Sequence, residues 1–196
     1  MRLITNRSSG ELGTLLALSL KKNGHSVIVC RGAGSTSEIA HLEKAGIRIL
    51  PFDTTEELQS RLQEISCEQP VGAVFHVAAV SDYSLPGGGQ GKISSEEGSL
   101  TVTLHPTPKL LPMMRGWFPH ARIVGWKFEA GGTRDTALEA GQRQIARCAT
   151  DACVVNGPSY GEGFGLILPS GTVTHRPNRE SLCDLLADTF PKNFRG

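Results

Sequence analysis

The sequence lacks a long hydrophobic run. Its longest apolar stretch, residues 71–80, has ten residues and includes His76, well short of the roughly 20 that a membrane-spanning helix needs. It also lacks an excess of one charge. Twenty Lys and Arg face nineteen Asp and Glu for a net charge of +1, so no whole-molecule field draws in nucleic acid or an acidic membrane surface. A local basic patch is still compatible with this balance, but neither nucleic acid nor membrane is expected as a partner. The five cysteines are odd in number and show no Cys-x-x-Cys spacing, which argues against a disulfide framework and a structural zinc site. Residues 2–5 already read as a strand, so no signal peptide is expected ahead of the fold, and the expected compartment is the cytoplasm. What is present is ordinary globular material: 196 residues, 39% hydrophobic and 20% charged, expected to form a single domain over 1–196 with a real core.

Twenty-three glycines punctuate alternating strand-like and helix-like segments. After the strand at 2–5, Leu12, Leu15, Leu16 and Leu20 mark one face of a helix over 9–23, closed by Gly24. Residues 26–31 read as a second strand, 36–45 as a helix and 47–52 as a third strand. Thr54 and Glu57 have the spacing of a capping box, opening a helix with Leu58, Leu62 and Ile65 inward. Residues 73–80, nearly all apolar, predict a central strand buried on both faces. Residues 81–98 break the rhythm with Pro86, three consecutive glycines and Gly91-Lys92, a loop length usually tied to function or disorder. A strand is predicted over 99–104, a short helix over 107–116, a strand over 122–129, a helix over 133–149 and a strand over 152–156. A hairpin follows around Ser170-Gly171, then a helix capped by Asn178. This alternation predicts an α/β fold: a doubly wound, mostly parallel Rossmann-like sheet in the order 3-2-1-4-5-6, with a C-terminal β-hairpin.

Ligands of such sheets bind beyond the carboxyl ends of the strands, at the switch point between the first and fourth. Two segments fall there. Asn6-Arg7-Ser8-Ser9-Gly10 leads into the first helix, where unpaired N–H groups and the helix dipole favour an anion; the plainer alternative is an ordinary N-cap with packing glycines. Ala78-Ala79-Val80-Ser81-Asp82-Tyr83 precedes the glycine loop and Lys92. An Asp past a central strand can hold magnesium on phosphates, and a lysine on a glycine loop can close over them; alternatively Asp82 caps a turn and Lys92 is solvated. A Walker A loop does not fit, because Ile93 replaces its Ser or Thr. The Tyr-x-x-x-Lys pair of a short-chain dehydrogenase is missing at Tyr83 and Tyr160. The second strand ends in Arg31-Gly32 with no acid for an adenosine ribose, although an arginine can accept a 2′-phosphate. His76 reads as a core residue, Cys148 and Cys153 as packing residues, and Trp117 and Phe118 as anchors of the short helix.

At these residues the sequence resembles the phosphopantothenoylcysteine synthetase family, the C-terminal ligase domain of the DNA/pantothenate metabolism flavoprotein, as a divergent and shortened member. The matching motifs are I-T-N-R-S-S-G-E-L-G at 4–13, A-A-V-S-D-Y at 78–83, G-K-I at 91–93, V-G-W at 124–126, D-A-C-V-V-N at 151–156 and G-F-G at 163–165. The resemblance implies a cytoplasmic homodimeric ligase of coenzyme A biosynthesis that joins 4′-phosphopantothenate to cysteine through an acyl-nucleotidylate, using CTP or ATP with Mg2+. It implies that Lys92 serves nucleotidylation, that Asn6 holds the acyl-nucleotidylate, and that Asp82 is the metal-linked acid. Ser8, Ser9 and Gly10 would meet the nucleotide; Ala78, Ala79 and Val80 would present backbone groups to the base; and Trp126 would stand where the family has Phe.

The chain departs from the family pattern in several places. The Gly-Gly-Thr loop between the first strand and the Asn-x-Ser-Ser-Gly turn is missing, since Thr5 runs directly into Asn6. The family's Lys-x-Lys-Lys becomes Lys92-Ile93-Ser94-Ser95, and its Pro-Asp-Ile becomes Pro108-Lys109-Leu110. Two phosphate-facing lysines align with Gln144 and Cys148, while Arg143 and Arg147 lie one residue earlier and could substitute if the helix shifts register. Lys109 and Lys127 could also restore positive charge. Pro108, Lys109, Arg143 and Arg147 therefore join the candidate nucleotide-binding residues. Three readings follow: the ligase, a nucleotide-binding module of the same fold without turnover, and an NADP-dependent reductase.

Overall fold

The structure is a computed structural model that describes residues 8–84 and 101–189. Helix α1 (Glu11–Lys22) leads to strand β1 (Ile28–Gly32), short helix α2 (Ala40–Lys44) and strand β2 (Arg48–Phe52). Helix α3 (Thr55–Glu68), strand β3 (Ala73–His76) and the two-residue strands β4 (Tyr83–Ser84) and β5 (His105–Pro106) follow. Then come α4 (Leu110–Trp117), β6 (Arg122–Phe128), α5 (Arg134–Cys148), β7 (Ala152–Asn156), β8 (Phe164–Ile167), β9 (Val173–Arg176) and α6 (Arg179–Thr189).

Strands β1 and β2 pair in parallel, and a five-stranded sheet runs in the order β3-β6-β7-β8-β9. Its β3–β6 and β6–β7 pairs are parallel, and its β7–β8 and β8–β9 pairs antiparallel. These pairings agree with the expected order for the second to sixth strands and with the expected hairpin. The expected first strand, residues 2–5, lies outside the described residues.

Strand alternation sends neighbouring side chains to opposite faces, and here it sorts them into two layers. Val124 and Trp126 of β6, Val154 of β7 and Leu166 of β8 pack with Leu16 and Leu20 of α1 and Leu182 and Leu186 of α6. Helix α2 covers the same side of β1 and β2 through Leu42, with Val29 and Ile49. On the other face, Ile28, Cys30, Leu50, Val74 and Ile123 meet α3 and α4, while Cys153, Val155 and Ile167 meet α5. Helices therefore cover both faces, as a doubly wound fold requires. At α5, a Cβ on Gly141 would lie 2.5 Å from Val155 and 2.7 Å from Ile167, so glycine there sets how closely helix and sheet approach.

Three expected elements differ. The strand predicted over 73–80 stops at His76. Beyond it the chain turns twice, with Val77 N–H donating to the Phe75 carbonyl and Val80 N–H to that of Ala78, each at 3.1 Å. Residues 101–104 form no strand; pairing is confined to His105–Pro106 against Tyr83–Ser84. The second helix is five residues long instead of ten. Of the loop expected over 81–98, residues 85–98, with Lys92, lie outside the described residues, as does Asn6.

Candidate functional site

The turn into α1 is built around Gly10, whose φ of 75° is left-handed and whose Cβ, were there one, would lie 2.1 Å from Ser35 Oγ. A side chain here would be strained and would also displace Ser35. Ser35 Oγ donates to the Ser9 carbonyl at 2.7 Å, and Ser37 N–H donates to the same oxygen at 2.8 Å. Thr14 Oγ1 donates to Ser37 Oγ at 3.0 Å. The turn is thereby fastened to the loop after β1. Gly10 N–H donates to Ser8 Oγ at 3.4 Å and Glu11 N–H to Ser9 Oγ at 3.3 Å. The two hydroxyls act as acceptors in these bonds and donate to no acceptor among the described residues, which leaves their protons for an incoming anion. Glu11, which would repel that anion, is paired with Arg179 at 2.8 Å.

Ser8, Ser9, Gly10, Ala78 and Ala79 border the space between β1 and β3, whose lining also includes core residues of both helix layers such as Leu20, Leu58 and Leu186. Val80 packs instead on the α3/α4 cluster. Sequence reasoning missed Arg179, Ser35 and Ser37; the only available signal was the Ser35-Thr36-Ser37 run after Gly34. It also left Arg31 open as a 2′-phosphate acceptor. In the structure Nη2 of Arg31 donates to the carbonyls of Ser35 and Ser37, both at 2.8 Å, so this arginine holds the loop instead.

Asp82 and Lys109 form a second group. Thr107 is buried and ties their two segments: its N–H donates to the Asp82 carbonyl at 3.0 Å and its hydroxyl donates to the Ser81 carbonyl. Lys109, the residue before α4, donates to the Asp82 carboxylate. Both side chains are well exposed, 61% for Lys109 and 65% for Asp82, and Pro108 between them and Thr107 is exposed as well. This arrangement does not fit a protein-held magnesium ion. The one carboxylate is already engaged by an ammonium, and no group of three His, Cys, Asp or Glu converges among the described residues.

Trp126 is half-buried on the α1/α6 face, and its indole N–H is buried with no hydrogen-bond partner among the described residues. Arg143 and Arg147 stand on the exposed side of α5, and Arg143 pairs with Glu139 at 3.4 Å. No register shift turns them inward: the inner positions belong to Ala137, Gly141, Ile145 and Cys148, and Gln144 donates to Cys153 Sγ at 3.2 Å. Lys127 pairs with Glu129 at 3.0 Å.

The cysteines are free thiols. Desolvation pushes Cys153 and Cys183 up to about 12 and Cys30 up to about 11, so these three do not supply a thiolate nucleophile near neutrality. Desolvation also pushes the His76 imidazole down to about 4, leaving it neutral, as a core residue should be. No described helix is long and apolar enough to cross a membrane.

Parallel β1–β2 and β3–β6–β7 pairings, with helices on both faces and a Ser-Ser-Gly turn at the start of the first helix, define an α/β protein of the Rossmann-like class. Within that class, the chain belongs to the DNA/pantothenate metabolism flavoprotein C-terminal domain family, whose model matches residues 1–184. It is 28% identical over 156 residues to the coenzyme A biosynthesis bifunctional protein CoaBC of Thermococcus kodakarensis, covering 80% of this chain and 37% of that protein. It is 36% identical over 87 residues to phosphopantothenate–cysteine ligase 1 of Oryza sativa subsp. japonica, covering 41% of this chain and 27% of that one. The chain thus spans about a third of the length of the curated relatives it matches. Its fold is shared with the DNA/pantothenate metabolism flavoprotein from Streptococcus pneumoniae, with a TM-score of 0.79 at 20% identity over 96% of this chain and 90% of that one.

Proposed function

We propose that residues 1–196 act as one nucleotide-dependent ligase domain that joins 4′-phosphopantothenate to cysteine in coenzyme A biosynthesis, with CTP or ATP as the activating nucleotide. The observation that carries this reading is the match of the DNA/pantothenate metabolism flavoprotein C-terminal domain family over residues 1–184, with the Ser8-Ser9-Gly10 turn standing at the start of α1.

A carboxylate is a poor electrophile. It attacks the nucleotide α-phosphorus, pyrophosphate leaves, and the cysteine amine then displaces the nucleoside monophosphate to form the amide. Both steps concentrate negative charge, which calls for preorganised donors. The free hydroxyl protons of Ser8 and Ser9 at the start of α1 suit the phosphates, and the chain beyond β3 at Ala78 and Ala79 suits the base. Asn6 is assigned to holding the acyl-nucleotidylate and Lys92 to the nucleotidylation step. No step is assigned to magnesium. The edge strand β9, exposed on alternate residues at Val173 and His175, suits a homodimer contact.

The test is release of pyrophosphate from CTP or ATP in the presence of phosphopantothenate and cysteine, with Lys92→Ala as the control. Turnover that depends on both substrates and falls at least about 100-fold in the variant supports the reading. The absence of turnover with wild-type protein that still binds nucleotide favours the module without turnover. The outward pairing of Arg143 and the inward turn of Gln144 point to that second reading.

A further inference from the structure

We infer that Lys109 is a built-in counter-cation of the nucleotide site: its ammonium, held on the Asp82 carboxylate, stands where a divalent metal would otherwise sit and meets the phosphates itself. This inference rests on the ligase reading and deepens it by naming how the phosphate charge is balanced.

The ion pair is fixed from both sides. Thr107, buried and bonded to the backbone of Ser81 and Asp82, holds the acid's segment. The β4–β5 register, Tyr83 opposite Pro106 and Ser84 opposite His105, aligns the two chains. Lys109 is followed directly by Leu110, which is 3% exposed in the core, and one helical turn later by the fully buried Met114. The lysine stem therefore starts from an anchored backbone atom beside an anchored partner. One of its N–H donors is engaged by Asp82, and among the described residues the others have no further partner on a side chain that is 61% exposed. An ammonium has no acceptor of its own, so those donors can serve only an acceptor such as a phosphate oxygen.

A metal ion entering here would have to displace this ammonium or lie against it, and like charges at hydrogen-bond distance repel. Magnesium held by protein usually draws on one or two carboxylates besides the phosphates. Here the single carboxylate is occupied, and no group of three acidic, His or Cys side chains converges among the described residues. The charge reversal at position 109, an acid in the family pattern, thus has a physical consequence: the chain carries its cation covalently.

The test is calorimetric titration of the whole chain with CTP and with ATP, each in Mg2+ and in EDTA, for wild type and Lys109→Ala. In parallel, Mn2+ is added without nucleotide, and broadening of the Ser81, Asp82 and Tyr83 amide signals is followed by NMR. Wild-type affinity should differ by less than about threefold between the two buffers. Lys109→Ala should lose about tenfold or more in EDTA, the size expected of one charge-assisted contact, and recover most of it in Mg2+. Mn2+ should broaden those amides in Lys109→Ala but neither in wild type nor in the Lys109→Ala/Asp82→Asn double variant. Wild-type binding that needs Mg2+ by tenfold or more, unchanged affinity of Lys109→Ala in EDTA, or Mn2+ broadening in wild type each overturns the inference and leaves the ligase reading standing. Absence of nucleotide binding by wild type in both buffers overturns both.

Discussion

At the scale of single residues, the structure separates positions that look alike in the sequence. Gly10 and Gly157 both have left-handed backbone, with φ of 75° and 111°. A Cβ on Gly10 would strike Ser35 Oγ, a side-chain end that can rotate away at the loss of its bond to Ser9. On Gly157 it would lie 2.5 Å from the Glu129 carbonyl oxygen, which belongs to backbone held in place by two further hydrogen bonds. Gly10→Ala should therefore destabilise by about 1–3 kcal/mol and Gly157→Ala by clearly more, as read from urea midpoints; the reverse order would refute the packing argument. Asp151 makes a parallel case. Its carboxylate accepts from Ile123 N–H at 2.8 Å and from Arg115 at 2.6 Å, and the same guanidinium caps the carbonyls of Ala121 and Ala149. Arg115→Ala leaves the half-buried Asp151 carboxylate with only Ile123 N–H and the more distant Arg122, strips the Ala121 and Ala149 carbonyls of this donor, and should cost about 2–3 kcal/mol in chemical denaturation. The D-A-C-V-V-N motif made Asp151 conspicuous, but nothing in the sequence links it to Arg115, because that bond is a tertiary event across two βα units.

At the scale of elements, hydrophobic period located most helices and strands to within a residue or two. Long periodic stretches were legible because their inner faces are dictated by burial: the Leu58, Leu62 and Ile65 face of α3 is buried as the pattern implies. Where a strand ends was not legible. An apolar run over 73–80 does not reveal that the pairing partner stops, and β3 has a β6 partner only as far as His76 opposite Gly125. Its second half has no β6 partner among the described residues. The site was half legible for the same reason. The Ser-Ser-Gly turn follows from helix-start chemistry, whereas the support from Ser35, Ser37 and Arg31 depends on how a neighbouring loop folds back. Caps were readable and are testable. Asn178 Oδ1 accepts from Ser181 N–H at 2.9 Å, and Thr133 forms a reciprocal box with Thr136 at the start of α5. Asn178→Ala and Thr133→Ala should each lower stability by about 1 kcal/mol, with the two losses adding in the double variant because the helices lie on opposite layers. At α3 the capping spacing was right but the reciprocal bond is displaced: the Glu57 carboxylate accepts from Asp53 N–H, not from Thr54.

At the scale of the whole molecule, pH acts through His76. Its imidazole is held near 4 in the folded chain against an ordinary value of 6.5, so the unfolded chain takes up the proton first. Stability is complete above pH 6.5, declines as pH falls from 6.5 to 4, and loses no more through this group below that. The total is about 3 kcal/mol. Urea midpoints measured across this window should show that slope in wild type and lack its His76 share in His76→Gln; equal slopes in the two proteins would mean that the ring is not desolvated.

The packing of α6 on α1 also bears on how the chain folds. Ser19 bonds Asp184 across 165 positions and Arg179 bonds Glu11 across 168, and Leu16 and Leu20 find their cover in Leu182 and Leu186. Helix α1, synthesised well before α6, thus waits for it before its apolar side is shielded. Such high contact order places refolding in the slow regime of milliseconds to seconds or beyond, with α1 open to unwanted association in the interval.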